Sequence, residues 1–106
     1  MKKYSEGPES TVTHEGQNYL VDDLLNMKGP IENIQISKLD WILDETTVDQ
    51  DRVGKADLSF PIVVMKTKKY GYVVLDGVHR LSLAKLMGNK TIKAKMINES
   101  DLPSPI

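Results

Sequence analysis

At 106 residues the chain is long enough for one domain and one modest core. Hydrophobic residues make up 40% and charged residues 27%, and the formal net charge of −1 argues against a strongly electrostatic nucleic-acid binder, although a local basic patch keeps DNA open as a partner. There is no cysteine, which excludes disulfides, thiolate metal sites and cysteine nucleophiles.

The first residues, "MKKYSEGPESTVTHEGQ", contain no apolar h-region, so they do not read as a signal peptide. No apolar run approaches the ~20 residues of a membrane span, so a cytoplasmic protein without a membrane partner is the simplest expectation. Their polar composition predicts a flexible tail over residues 1–17, ahead of a single domain over 18–106. The rival is an edge strand, because "STVTHE" alternates. His14 suggests no role. "NYLVDDLLNMKGP" predicts a short helix with Leu20, Leu24 and Met27 on one face, stopped by Gly29-Pro30. "IENIQI" predicts a strand. Residues 37–60 interrupt short apolar clusters with Asp, Thr, Gly and Lys, which predicts helical turns and loop, the kind of segment that often carries function on a rigid scaffold. Trp41, the one tryptophan, is expected in the core, with base stacking as the alternative.

Further on the pattern sharpens. "PIVVM" predicts a strand opened by proline, "KTKKYG" a polar turn, and "YVVL" a second strand of the hairpin, whose continuous apolar run suggests burial on both faces. "VHRLSLAKLMG" predicts a helix with Val78, Leu81, Ala84 and Leu83/Met87 near one side and Gly88 just past its end. "TIKAKMI" alternates Ile92, Ala94 and Met96 against Thr91, Lys93 and Lys95, a strand with one wet, basic face. The last residues, "ESDLPSPI", predict an irregular end.

The joint between the second strand and this helix reads "LDGVHR". A helix start exposes unpaired N–H groups and partial positive charge. Gly77 permits a sharp turn and a close approach. His79 and Arg80 in the first turn oppose the helix dipole, a poor choice for stability that makes sense beside a phosphate. Asp76 can cap the helix, hold a metal ion near phosphates or orient His79. The competing reading is an ordinary Asp-Gly turn followed by a solvated His-Arg pair.

Residues 34–97, from "ISKL" through "QDR", "PIVV" and "YVVLDGVHRLSLAKLMG" to "IKAKMI", resemble the ParB/sulfiredoxin superfamily. The resemblance implies an α+β fold, a small mixed β-sheet with helices and a phosphate-binding turn at a strand-to-helix joint. ParB proteins carry Gly-Glu-Arg-Arg at this turn and bind CTP, sulfiredoxins carry Gly-Gly-Cys-His-Arg and use ATP, and related free-serine kinases carry Asp-Gly-His-His-Arg and use ADP. Val78 stands where sulfiredoxins have their cysteine and the kinase form its first histidine, so sulfinic-acid reduction is not available here. The stretch after Ile97 is too short for a helix-turn-helix or a dimerising tail, which implies an isolated nucleotide-binding module, closest at its turn to the kinase-like branch.

Two functions of different class follow from the resemblance. The first is phosphoryl transfer or nucleotide hydrolysis, with ATP, ADP or CTP, Mg²⁺ and a small hydroxyl substrate. Gly77, Val78, His79 and Arg80 would hold the phosphates, with Arg52 of "QDR" either reaching them or forming a surface ion pair. Asp76 and His79 would be catalytic, Asp76 with Mg²⁺ or with the nucleophile. Asp40, Asp44 and Glu45 offer a general base, Asp44 preferred, and the competing reading is that these acids cap a short helix. The second is a non-catalytic nucleotide or nucleic-acid binding module, with a ParB-like nuclease beside it. Lys66, Lys68, Lys69, Lys90, Lys93 and Lys95 would supply its basic patch, and Tyr70 and Tyr72 its stacking surfaces.

Overall fold

A run of four apolar residues, Ile62 to Met65, is buried on both faces, and this dictates a central strand. The computed structural model describes residues 11–106. In it β4 (Ile62–Thr67) sits inside a four-stranded sheet of order β3-β6-β4-β5, formed with β3 (Ile31–Gln35), β5 (Gly71–Asp76) and β6 (Thr91–Asn98). β4 runs antiparallel to β5 and parallel to β6, and β3 runs antiparallel to β6. The sheet is therefore mixed, as expected.

The chain crosses from β5 to β6 through α3 (Val78–Leu86). Leu81 and Ala84 bury its inner face against Ile62, Val64, Val74, Ile92 and Ala94, with Ile34, Ile36 and Leu39 completing the core. Val78 packs against this cluster, while Met87 is 62% exposed and does not join the buried side. Gly88 closes the helix in a left-handed conformation (φ 78°). Its N–H donates to the Lys85 carbonyl at 3.0 Å and the Asn89 N–H to Ala84 at 3.0 Å, a Schellman pair. Val63, Met65 and Ile97 bury the other face of the sheet beneath Met27, Leu75 and Leu102. Residues 37–60 form the expected short turns. These are 3₁₀ segments at Ile36–Lys38 and Asp40–Asp44, and α2 (Gln50–Gly54).

Three expectations are corrected. Residues 11–20 are a β-hairpin of β1 (Thr11–His14) and β2 (Gln17–Leu20), so the alternation in "STVTHE" prevails over the tail, whose remainder at residues 1–10 lies outside the described residues. The expected helix shrinks to α1 (Val21–Leu25), because Tyr19 is buried as a strand residue. β5 is an edge strand in which only Val74 is buried, so its apolar run does not mark burial on both faces. The hairpin is pinned on both strands near its turn: the Ile106 N–H donates to the Asn18 carbonyl at 2.8 Å, and His14 meets Glu99 at 2.6 Å. Among the described residues no helix is long and apolar enough to cross a membrane.

Candidate functional site

β5 and β4 change register just before the joint. Val64 pairs with Val74, yet Val63 pairs with Asp76, so Leu75 is an extra residue in β5. Such a bulge re-aims the side chain that follows it. Here it sets Asp76 across from Val63 at the mouth of the helix. The chain then turns at Gly77 (φ 107°, ψ 24°). A Cβ at this position would lie 2.8 Å from the Ile62 Cβ and closer still to Cγ2, so glycine is required by both conformation and space. The first helical bond runs from the Leu81 N–H to the Gly77 carbonyl at 2.9 Å, which leaves the N–H groups of residues 78–80 outside the intrahelical ladder. Gly77 offers no side-chain cap.

Beside this turn opens a cleft of about 500 Å³, lined by Asp76, Gly77, His79 and Arg80 from the joint and by Arg52, Lys55, Ala56, Asp57 and Phe60 from α2 and the segment after it. Three cationic side chains thus face two carboxylates around an open helix start. Arg80 donates to the Pro61 carbonyl at 3.1 Å, lies 3.8 Å from Asp76 Oδ2 and sits 6.0 Å over the Phe60 ring. The Asp76 contact is an ion-pair distance rather than a tight fork, which keeps both groups open to a ligand. His79 accepts from the Asp49 N–H through Nε2 at 3.2 Å, so that nitrogen presents its lone pair and ties α3 to α2. Asp49 in turn caps α2, its Oδ1 accepting from the N–H groups of Asp51 (2.9 Å) and Arg52 (3.4 Å). The Asp57 carboxyl is held below its ordinary value, first by the Ser59 hydroxyl at 2.6 Å, then by the Ser59 N–H at 2.9 Å and the charge of Arg80.

The expected residues Asp76, Gly77, His79, Arg80 and Arg52 therefore meet at one cleft, and Val78 lies at the joint on its other side. Asp44 does not join them: it is exposed at the end of a 3₁₀ segment and lines neither this cleft nor the cavity beyond Gly77. Asp40 instead faces Lys85 at 3.4 Å. Trp41 is 37% exposed and lines neither space, against the expectation of core packing. Tyr70 and Tyr72 carry lysines over their rings, Lys69 at 5.3 Å and Lys38 at 5.7 Å. Lys95 donates to the Leu25 carbonyl at 2.5 Å. Sequence reasoning missed Lys55, Asp57 and Phe60. An apolar ring between Ser59 and Pro61, outside any periodic segment, was the one available hint of an exposed aromatic.

No family model and no curated protein sequence matches the chain. Solved structures do. Sulfiredoxin from Arabidopsis thaliana superposes with a TM-score of 0.53 at 21% identity, covering 69% of this chain and 92% of that one. SbnI from Staphylococcus aureus, in a C-terminally truncated form, superposes with a TM-score of 0.51 at 26% identity, covering 66% of this chain. The match spans only 31% of the SbnI chain. The chain has the ParB/sulfiredoxin-like fold.

Proposed function

We propose that the cleft binds a nucleoside di- or triphosphate, with its phosphates at the start of α3. The observation that carries this reading is the convergence of Arg52, Lys55 and Arg80 on the uncapped N-terminus of α3, next to an exposed Phe60 ring. Phosphate oxygens take the N–H groups of residues 78–80 and the guanidiniums. The base lies against Phe60. Among the described residues no cluster of three metal-ligating side chains exists. Mg²⁺ commonly arrives with phosphates and uses one or two carboxylates, a donor set that Asp76 fits. Bound there, it would neutralise charge on the phosphates.

Phosphoryl transfer or hydrolysis is favoured over passive binding because Asp76, a carboxylate beside the start of α3, lines the cleft, and transfer uses such a group where binding alone does not need it. In transfer, the oxygen of an acceptor hydroxyl, or of water, bonds to the terminal phosphorus as the bond from that phosphorus to its bridging oxygen breaks. The hydroxyl proton leaves to solvent water, and the nucleotide departs with the bridging oxygen's charge. Arg80 offsets the charge on the transferring group. Asp44, outside the cleft, is set aside as the base. Asp76 either holds Mg²⁺ or positions the attacking hydroxyl, and the two roles part on metal dependence: only in the first does Asp76→Asn raise the Mg²⁺ requirement.

Phosphorus NMR of ATP, ADP, CTP and GTP incubated with the protein and Mg²⁺ tests this. A new phosphorus species that Asp76→Asn fails to produce supports catalysis. A nucleotide that binds and stays intact, with an acceptor alcohol present as well as in water alone, makes the chain a binding module, and failure of all four to bind overturns the reading.

A further inference from the structure

A second cavity, of about 220 Å³, abuts the cleft. It shares Arg52, Asp76, Gly77 and His79 with it, but its remaining wall has a different chemistry. Val12 from β1, Val21 from α1, Leu75 at the bulge and Val78 at the head of α3 supply aliphatic surface, and Thr11 and Thr46 supply hydroxyls. The cavity exists because the N-terminal hairpin folds over the joint. It is less than half the volume of the phosphate cleft.

The lining restricts what can enter. Four aliphatic side chains penalise an ionic body. The shared edge is lined by a donor, Arg52, and an acceptor, Asp76, and a hydroxyl matches such a mixed edge because it both gives and takes a hydrogen bond. Neither a carboxylate nor an ammonium can do so.

We infer that this cavity is a binding site for a small uncharged molecule with a branched aliphatic body and one hydroxyl, the body against Val12, Val21 and Val78 and the hydroxyl at the edge shared with the phosphate cleft. The site itself stands on its own lining. Only its part as the phosphate acceptor rests on the nucleotide reading.

The test is an amide NMR titration of the whole chain with 2-methylpropan-1-ol, with isobutyrate and isobutylammonium as charged counterparts. The alcohol should give saturable shifts centred on Val12, Val21, Leu75 and Val78, and bind at least ten-fold more tightly than either ion. Val21→Trp, which fills the cavity, should weaken the alcohol at least ten-fold while leaving nucleotide shifts at Lys55 and Phe60 unchanged. If that variant disturbs the fold, Val12→Phe is read in the same way. Shifts that do not saturate, that spread to the exposed Leu86 and Met87, or that survive a folded cavity-filling variant overturn the site. Saturable alcohol binding without nucleotide binding keeps this site and removes the nucleotide reading instead.

Discussion

The backbone N–H of Asp49 donates to His79 Nε2 at 3.2 Å, so the start of α2 hangs from the first turn of α3. The Asp49 carboxylate also caps α2 through Asp51 and Arg52. One residue thereby sets where Arg52 stands relative to the start of α3. Replacing His79 with Ala removes the tie. Unfolding by urea should show a loss of about 0.5–1.5 kcal/mol, at the lower end because the bond is exposed. Asp49→Ala should cost about 0.5–2 kcal/mol, the usual range for a lost helix cap. A His79→Ala protein that keeps full stability and full nucleotide affinity would show the tie to be idle.

The two glycines flanking the cleft should respond in opposite directions to the same change. Gly77 has φ 107° and no room for a Cβ beside Ile62, so Gly77→Ala should destabilise by about 1–3 kcal/mol. Gly54 ends α2 with nothing within 4 Å of an added Cβ, so Gly54→Ala should stabilise by about 0.4–1 kcal/mol. Equal effects at the two positions in denaturant midpoints would contradict the geometry of the joint.

Phe60 is 59% exposed, which makes it cheap to the fold and available to a ligand. Phe60→Ala should leave the unfolding midpoint nearly unchanged. It should weaken nucleotide binding by about 1–3 kcal/mol, the scale of a base stacked on an aromatic ring. Unaltered affinity, measured by fluorescence titration, would remove the ring from the site.

Acid should loosen the N-terminal hairpin. The Glu99 carboxyl is held below its ordinary value chiefly by its hydrogen bond to His14, with the Lys68 N–H and charge assisting. The folded state then binds fewer protons than the unfolded chain between the two values. The stabilisation is therefore full above the ordinary carboxylate range and is lost as pH falls through the folded value. Wild-type stability should drop more steeply than that of Glu99→Gln as pH falls from about 7 to about 3. Parallel curves would mean that this pair does not fasten the hairpin.

Parts of this architecture were legible because one local rule governed them. Leu81 and Ala84 at helical spacing, with Gly88 beyond them, define α3 without help from the rest of the chain. Ile92 and Ala94 likewise define the inner face of β6. The first hairpin was hidden because its turn is Glu15-Gly16, both with positive φ, where glutamate is a rare occupant and carries little turn signal. Leu20 also happens to stand at helical spacing from Leu24. In β5 the apolar run follows its antiparallel partner rather than two covered faces, and strand order is a tertiary property that no local pattern encodes. The turn residues of the site were readable from their chemistry. Lys55, Asp57 and Phe60 were not, because a loop's aim is set by what it packs against.

Phosphate recognition by the α3 turn is tested most directly by calorimetric titration of the protein and of Arg80→Ala with ATP, ADP, CTP and GTP, with and without Mg²⁺. At least one nucleotide should bind with a Kd below ~1 mM, about −4 kcal/mol, and Arg80→Ala should weaken it by about 1.5–3 kcal/mol. Binding of none of the four, or an affinity that Arg80→Ala leaves unchanged, would contradict it.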